Sequence, residues 1–569
     1  MSRFTVFDTE DNSRELLESG QSGFLKKVTM VCALTDDGHS FFDRSSNCCE
    51  KFLEWILNSE TGPIYAHNLQ YDLGNLFGDC LDDFNLRMMP GSSRLLRATW
   101  KTKTFFDSMN LWPMALKKIG EAFGLVKLKM DVNSREYVLR DCEIVLKAIS
   151  FVYDIVNEFD LGKVPSTIGG LAVRIWQTMS DNWFDDSELS RQAYYGGRVE
   201  LFARSKPNIA YVDVNSLYPH GMLGLFPTSL DSRTDITGFG IAEATMQIPT
   251  TFVAPLPWRD DEGCNLYPVG KFRGVWTFAE IQNAVNQGGK ILKLHQSFGS
   301  KDGFPYYRQF ITEFYQRRLD SDSEAEKLFF KLLMNNLYGQ LAMKGSLTVS
   351  ANLVDSDFNS DGDYIGEETA YGCKKLTEAS YPLREFCNCS HAAYVTSYGR
   401  LTLFDYLRQV PEDDLLYCDT DSVIFEKKGK LPFEISDGLG KMKLEGTAPL
   451  AIAYAPKAYS VRDFLKPGKK AESVYKAKGV KTISEDSKGV VTNHAKQFLE
   501  SGKTEFSQPF KLREACAFFD RENARKLSVW RKVPRQFKNR YLRKDFDETE
   551  QRYWPKTIEN QLTNSPRIG

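Results

Sequence analysis

The sequence predicts an α+β protein built in two parts, and three observations predict it. At 569 residues the chain exceeds what one hydrophobic core organises, since single cores seldom grow past ~250–300 residues. Short strand-like runs bearing acids recur far apart, at Phe4–Glu10, Tyr211–Val214 and Leu415–Phe425. Helical patterns lie between them, one from Ser134 to Phe159 and another over Lys327–Gly339.

In the first part, FTVFDTE (Phe4–Glu10) reads as a strand in which Asp8 and Glu10, two residues apart, share a face. IYAHNLQYD (Ile64–Asp72) runs from a short strand into the start of a helix and brings Asp72 with His67, Asn68 and Tyr71. Tyr137 and Asp141 lie four apart on the Ser134–Phe159 pattern, so they too share a face. Each of these acids taken alone reads as a surface carboxylate. Tyr194-Tyr195-Gly196-Gly197 follows, where two glycines allow a close approach to a phosphate and φ > 0, and Arg198 adds charge; a plain Gly-Gly turn is the competing reading.

The second part opens with YVDVNSLYP (Tyr211–Pro219), which places Asp213 where a buried strand meets solvent. In KLFFKLLMNNLYG, residues Lys327, Lys331, Asn335 and Tyr338 recur at helical steps and share one face, with Gly339 expected to close the helix. Two lysines a turn apart can meet the charge of a triphosphate, and Tyr338 offers a flat ring to a base; the plainer alternative is a solvated lysine stripe. Ser346 to Glu367 reads as a hairpin around Asn359-Ser360-Asp361-Gly362-Asp363. In LLYCDTDSVIF (Leu415–Phe425), strand alternation sends Asp419 and Asp421 to one face, where an isolated Asp-Thr-Asp would read as a polar turn. If Asp213 and Asp421 meet, their oxygens suit Mg²⁺ and phosphate chemistry, and a pair of such ions ~3.5–4 Å apart clamps an in-line phosphoryl displacement.

The formal charge is −2, so affinity for nucleic acid has to come from placement of charge. Lys511 to Lys544 shows such placement, with 12 Lys or Arg against 3 Asp or Glu, interleaved with Phe518, Phe519, Trp530, Phe537 and Tyr541. The 11 cysteines lack the density of a secreted disulfide scaffold, and no signal peptide or long apolar span appears, which points to a reducing cytoplasm. Cys373, Cys387, Cys389 and His391 fit no common zinc spacing and read better as small buried residues.

YVDVNSLYP, KLLMNNLYG and YCDTDSV, in that order, resemble the three polymerase motifs of family B DNA polymerases, most closely the protein-primed branch of phi-twenty-nine-type phages and linear plasmids. The resemblance implies Asp213 and Asp421 as metal ligands, assisted by the Val214 carbonyl, with Asp419 in support. It implies Tyr218 as a steric gate against ribose, Lys331 and Lys327 on the triphosphate, and Asn335 and Tyr338 lining the nascent pair; Asn336 departs from the usual Ser. The amino-terminal segments resemble the exonuclease motifs of the DEDD superfamily. That implies Asp8, Glu10, Asp72 and Asp141 as ligands to two metals, Tyr137 orienting water, and Asn68, Tyr71 and His67 gripping a frayed primer end. Lys118, in LKKIGEAF, resembles a basic residue beside that centre, where a solvated helix lysine is the plainer reading. Tyr194, Gly196 and Gly197 resemble the YxGG linker, and Lys457-Ala458-Tyr459 the KxY motif at the primer terminus, with Lys476 and Lys478 on backbone phosphate.

The expected organisation is an RNase H-like 3′-5′ exonuclease domain over 1–185, followed by a right-hand polymerase. Its parts are a first palm segment with the linker over 186–300, fingers over 301–345, a hairpin insertion for processivity and strand displacement over 346–391, a second palm segment over 392–465 and a thumb over 466–569. An insertion containing Gly270 to Leu319 would dock a terminal protein. The implied activity is DNA-directed DNA polymerisation with proofreading, replicating a linear phage or plasmid genome in the bacterial cytoplasm. The implied cofactor is Mg²⁺, two per centre, with Mn²⁺ as a substitute. The implied partners are primer-template DNA, deoxynucleoside triphosphates and a terminal protein that supplies the first hydroxyl, with no membrane and a monomer or a heterodimer with that protein. The competing functions are a family B polymerase that uses other primers or none, and a nuclease with an inactive polymerase half.

Overall fold

The computed structural model describes residues 4–12, 28–60, 62–77, 84–89, 94–128, 134–180, 188–343, 345–352, 374–380, 386–480, 483–485, 491–509, 530–536, 545–547, 549–550 and 552–561. Two large sheets dominate these residues. In the first, the strand Thr5–Asp11 lies between the parallel Ile64–Ala66 and the antiparallel Val28–Thr35. Alternation decides what each face meets. Phe4 and Val6 join the core of the long helix Arg135–Glu158, whereas Phe7 packs with Phe52 and Leu73 of the helices Cys48–Asn58 and Leu69–Phe77. Asp8 and Glu10 continue the face of Phe4 and Val6, so they arrive at the long helix. Ser134 begins that helix by accepting a hydrogen bond from the Tyr137 amide.

The hairpin expected within Ser346 to Glu367 reaches further: Ser346–Asn352 pairs with a return strand at Lys374–Ser380, past Glu367. They extend the edge of this first sheet, Thr348 opposite Met88 and Val349 opposite Arg87. Its anticipated tip at Asn359 to Asp363 lies outside the described residues, as does most of the basic run Lys511 to Lys544.

The second large sheet is antiparallel, with Ser205–Val214 at its centre between Met442–Ala455 and Ser422–Glu426. The helix Cys389–Leu407 covers it, burying Leu403, Phe404 and Leu407 with Val212, Val214 and Val423. A separate sheet holds Phe239–Ile248, Val269–Thr277 and Lys290–Ser300, and Thr557–Gln561 returns to pair with it in parallel. The helices Arg308–Asp320 and Glu324–Leu341 pack together against the first part, where Phe329 meets the rings of Trp112 and Phe151. The second of these helices runs through Gly339 to Leu341, so the expected glycine stop is not a stop. Gly339 has open space around it, and Phe329, Leu333, Leu337 and Leu341 continue the buried stripe past it. No helix among the described residues is long and apolar enough to cross a membrane.

Candidate active sites

In the first part, Asp8, Glu10 and Asp141 each offer a carboxylate oxygen within 4.8 Å of the others. Asp72 lies close enough to raise the pKa of Asp8 and Glu10, and its Oδ1 accepts from the Thr9 amide at 3.0 Å and the Thr9 hydroxyl at 2.7 Å, which Asn75 steadies at 2.8 Å. Burial, then the charges of Asp72 and Glu10, hold Asp8 well above the usual carboxylate range. Burial and the charges of Asp141 and Asp72 push Glu10 up to about 8. Asp8 Oδ2 and Asp141 Oδ1 are buried and make no hydrogen bond. Three acids sharing so little water, with orphaned oxygens and the charge of Asp72 beside them, form a donor set that fits a hard divalent cation.

Tyr137 stands one turn before Asp141, and burial and the charge of that carboxylate raise its hydroxyl pKa, so it stays protonated as a potential donor. The basic residue at this centre is Lys127. Its ammonium pairs with Asp141 and sits 4.8 Å from the centre of the Tyr137 ring. Lys118 is exposed on the helix Leu116–Ala122. Lys127 stands in an irregular stretch that no periodic pattern singles out. His67 is held inside the protein, Nδ1 3.0 Å from the Ser108 hydroxyl and Nε2 2.9 Å from the Met114 carbonyl, and burial lowers its pKa to about 4. Asn68 is exposed with φ 70°, its amide tied to Asp107, while Tyr71 lies among the charges of Asp11, Glu10 and Asp72.

In the second part, register brings the distant motifs together. Asp213 lies opposite Ser422 on one neighbouring strand and Lys443 on the other. Asp421 reaches it from a turn and not from a strand. The hairpin pairs Asp419 with Ser422, Thr420 takes φ 63°, and the Asp421 amide bonds back to the Asp419 carbonyl at 2.7 Å. The expected strand alternation of Asp419 and Asp421 is thus replaced by a tight turn that separates their roles. Asp419 is engaged by Lys457 at 2.7 Å and by the Tyr417 hydroxyl at 3.2 Å. Burial and Asp421 push Asp213 up to about 7, and burial and Asp419 push Asp421 up to about 6. The positive charge of Lys331 opposes both shifts. Glu445, the extra residue of a bulge between Leu444 and Gly446, adds a further negative charge that the motifs did not reveal. Two acids whose protons are held this firmly form a second donor set that fits a divalent cation.

Around this pair, Tyr218 packs on Tyr338 with ring centroids 4.4 Å apart. Asn335 is half-buried on the helix that carries Tyr338, and Lys327 is paired with Glu324 at 2.9 Å. Tyr459 meets the Tyr211 hydroxyl at 3.1 Å, and Lys476 and Lys478 are exposed. The glycine linker differs from expectation. Neither Gly196 nor Gly197 has positive φ, and Gly197 is instead small for packing, since a Cβ there would lie 2.7 Å from Thr420. Arg198 is 1% exposed, paired with Glu200 and stacked 4.0 Å from the Tyr267 ring, so it cannot serve a nucleic-acid strand. At the candidate zinc cluster, His391 has Nδ1 2.7 Å from the Tyr307 hydroxyl and Nε2 3.2 Å from the Pro227 carbonyl, which commits both ring nitrogens; Cys373 lies outside the described residues.

Residues 127–422 match the family described as DNA polymerase type B, organellar and viral. A DNA-directed DNA polymerase of Enterobacteria phage PRD1 is 25% identical over 456 residues, covering 73% of this chain and 76% of that protein. A DNA polymerase of Bacillus phage Nf is 22% identical over 448 residues, covering 66% and 73%. A probable DNA polymerase of Ascobolus immersus is 27% identical over 318 residues, covering 52% of this chain, which spans only 26% of the length of that relative. Among solved structures, Phi29 DNA polymerase complexed with primer-template DNA superposes with a TM-score of 0.69 at 15% identity, covering 94% of this chain and 100% of that one. At that identity the likeness establishes a shared fold of exonuclease, palm, fingers and thumb.

Proposed function

Because the chain belongs to the family of organellar and viral type B DNA polymerases, we propose that it extends primers on a DNA template at the Asp213–Asp421 centre and removes mispaired ends at the Asp8, Glu10, Asp72 and Asp141 centre. The observation that carries this reading is the strand register that seats Asp213 against the Asp421 turn, where the charge of Lys331 lowers the pKa of both acids. Asp213, Asp421 and the Val214 carbonyl would hold Mg²⁺ at one centre, and the four acids of the other would hold it there. Bound there, the cation neutralises phosphate charge and lowers the pKa of the attacking oxygen.

The protein's own residues do the rest. Lys331 meets the triphosphate, and Asn335 and Tyr338 present a polar edge and a ring to the nascent pair. Tyr218, closed in by Tyr338, floors the sugar site. Lys457 fixes Asp419 and thereby the turn that aims Asp421. At the other centre the protonated Tyr137 hydroxyl orients the attacking water, and Lys127 stabilises negative charge beside Asp141.

For the first nucleotide, a Ser, Thr or Tyr hydroxyl of a terminal protein takes the place of the primer hydroxyl, docked on the insertion between Tyr218 and Lys331. This part rests on the motif set and on the likeness to phage polymerases. The test is extension of a primed single-stranded DNA circle, run beside transfer of labelled deoxynucleotide to a candidate terminal protein. Long products without a helicase support displacement synthesis. Absence of any templated extension sinks the polymerase reading, and extension without transfer to protein sinks the priming step alone.

A further inference from the structure

We propose that Arg191 is a positioning residue for the incoming nucleotide, bracing the end of the helix Glu324–Leu341 against the linker that buttresses the catalytic turn. Arg191 stands on the short helix Glu188–Ala193. One of its terminal nitrogens donates to the Ala342 carbonyl at 3.2 Å and the other to the Met343 carbonyl at 3.4 Å. Those carbonyls lie just past the last turn of the nucleotide-binding helix, where acceptors lack partners inside the helix and its dipole is negative. A two-pronged cation answers both needs.

The same stretch of chain then runs directly to the chemistry. Tyr194 lies within the electrostatic reach of Tyr338. The carbonyls of Tyr195 and Gly196 accept from Arg400 at 2.8 and 2.9 Å, and Glu280 fixes that guanidinium at 2.8 Å. Gly197 abuts Thr420, and the Arg198 carbonyl accepts from the Thr420 amide at 2.7 Å. Arg191 to Arg198 is therefore a strut with the helix of Lys331, Asn335 and Tyr338 at one end and the turn of Asp419 to Asp421 at the other. The triphosphate has to reach both ends at once. Releasing the Arg191 end lets the helix shift relative to Asp421, which weakens nucleotide binding with little change at the reacting atoms.

This inference rests on the polymerase reading. The test is single-nucleotide incorporation on a primed template by the wild type, Arg191→Ala and Arg191→Lys, with exonuclease activity on single-stranded DNA and Tm measured on the same preparations. In Arg191→Ala the KM for the deoxynucleotide rises about three- to tenfold, the loss expected for a cation at a helix terminus, while kcat changes less than about twofold. Arg191→Lys recovers part of the loss, because it keeps the charge and loses the fork. Exonuclease activity stays at the wild-type value, and Tm falls only slightly. A wild-type KM in Arg191→Ala overturns the proposal, as does a loss shared equally by exonuclease and incorporation. No incorporation by the wild type would overturn the polymerase reading itself, an outcome distinct from either.

Discussion

The backbone amide of Val214 donates to the carbonyl oxygen of Asp421 at 2.7 Å, tying together two motifs far apart in the chain. That bond carries Asp213 and Asp421 into one site, and the acids of the exonuclease-like sheet belong to a different core. The two centres should therefore fail separately. Asp421→Ala is expected to reduce primer extension to background while degradation of single-stranded DNA continues, and Asp8→Ala should do the reverse. Gel assays of both activities on both variants check this, and loss of both activities in either variant would dismiss the two-centre assignment.

A second expectation concerns pH. Asp213 and Glu10 have folded-state pKa values of about 7 and about 8, against ordinary values of 3.8 and 4.5. The folded chain thus holds these protons more tightly than the unfolded chain. Their contribution to stability is complete below the ordinary values and is lost as the pH rises through 7 and 8. Metal-free protein should therefore melt at falling temperature between about pH 5 and about pH 9, and Glu10→Gln should flatten part of the decline. Mg²⁺ should raise Tm more at about pH 8 than at about pH 5, because protons and metal compete for the same oxygens. Differential scanning calorimetry decides, and a wild-type profile that Glu10→Gln leaves unaltered would count against the assignment.

Which features the sequence disclosed has a physical pattern. Asp8 with Glu10 and Tyr137 with Asp141 were legible because spacing within a single strand or helix fixes which side chains share a face. Asp213 was legible because the strand is regular from Ala210 to its end at Val214, with Val212 and Val214 buried on either side of it. What stayed hidden depends on distant chain. Lys127 reaches Asp141 from an irregular segment, and Glu445 reaches Asp213 through a bulge. Arg198 beside two glycines reads as a phosphate ligand until Glu200 and Tyr267 close on it. Gly339 reads as a stop because local propensity favours one, yet tertiary burial on both sides carries the helix past it.

The contact between Gly197 and Thr420 yields a third expectation. A methyl at Gly197 would lie 2.7 Å from the Thr420 side chain, which itself occupies the strained φ 63° between Asp419 and Asp421. Overpacking of this kind costs about 1–3 kcal/mol when the neighbour cannot yield. Here the neighbour is the catalytic turn, so Gly197→Ala should displace Asp421. Extension should fall by about tenfold or more while exonuclease activity is spared. Thr420→Ser in the same chain removes Cγ2, one of the two Thr420 atoms 2.7 Å from the added methyl, keeps Oγ1, and should restore part of the rate; full extension by Gly197→Ala alone would refute the idea that this glycine is there for space.

The last expectation concerns the sugar. Tyr218 follows the left-handed Ser216 that starts the helix Leu217–Gly221, and its ring packs on Tyr338 with centroids 4.4 Å apart. Burial pushes its hydroxyl pKa up to about 12, so the group is neutral at working pH. A ring packed on Tyr338 resists moving away from an added ribose hydroxyl, whereas a deoxyribose needs no such movement. Selection against ribonucleotides then comes from a steric clash and not from a lost hydrogen bond. Tyr218→Val should therefore leave deoxynucleotide incorporation nearly unchanged and reduce discrimination by about ten- to a hundredfold, the range open to a change in pocket shape. The ratio of kcat/KM for the two nucleotides measures it. If that ratio stayed at the wild-type value, some other side chain would have to guard the 2′ position.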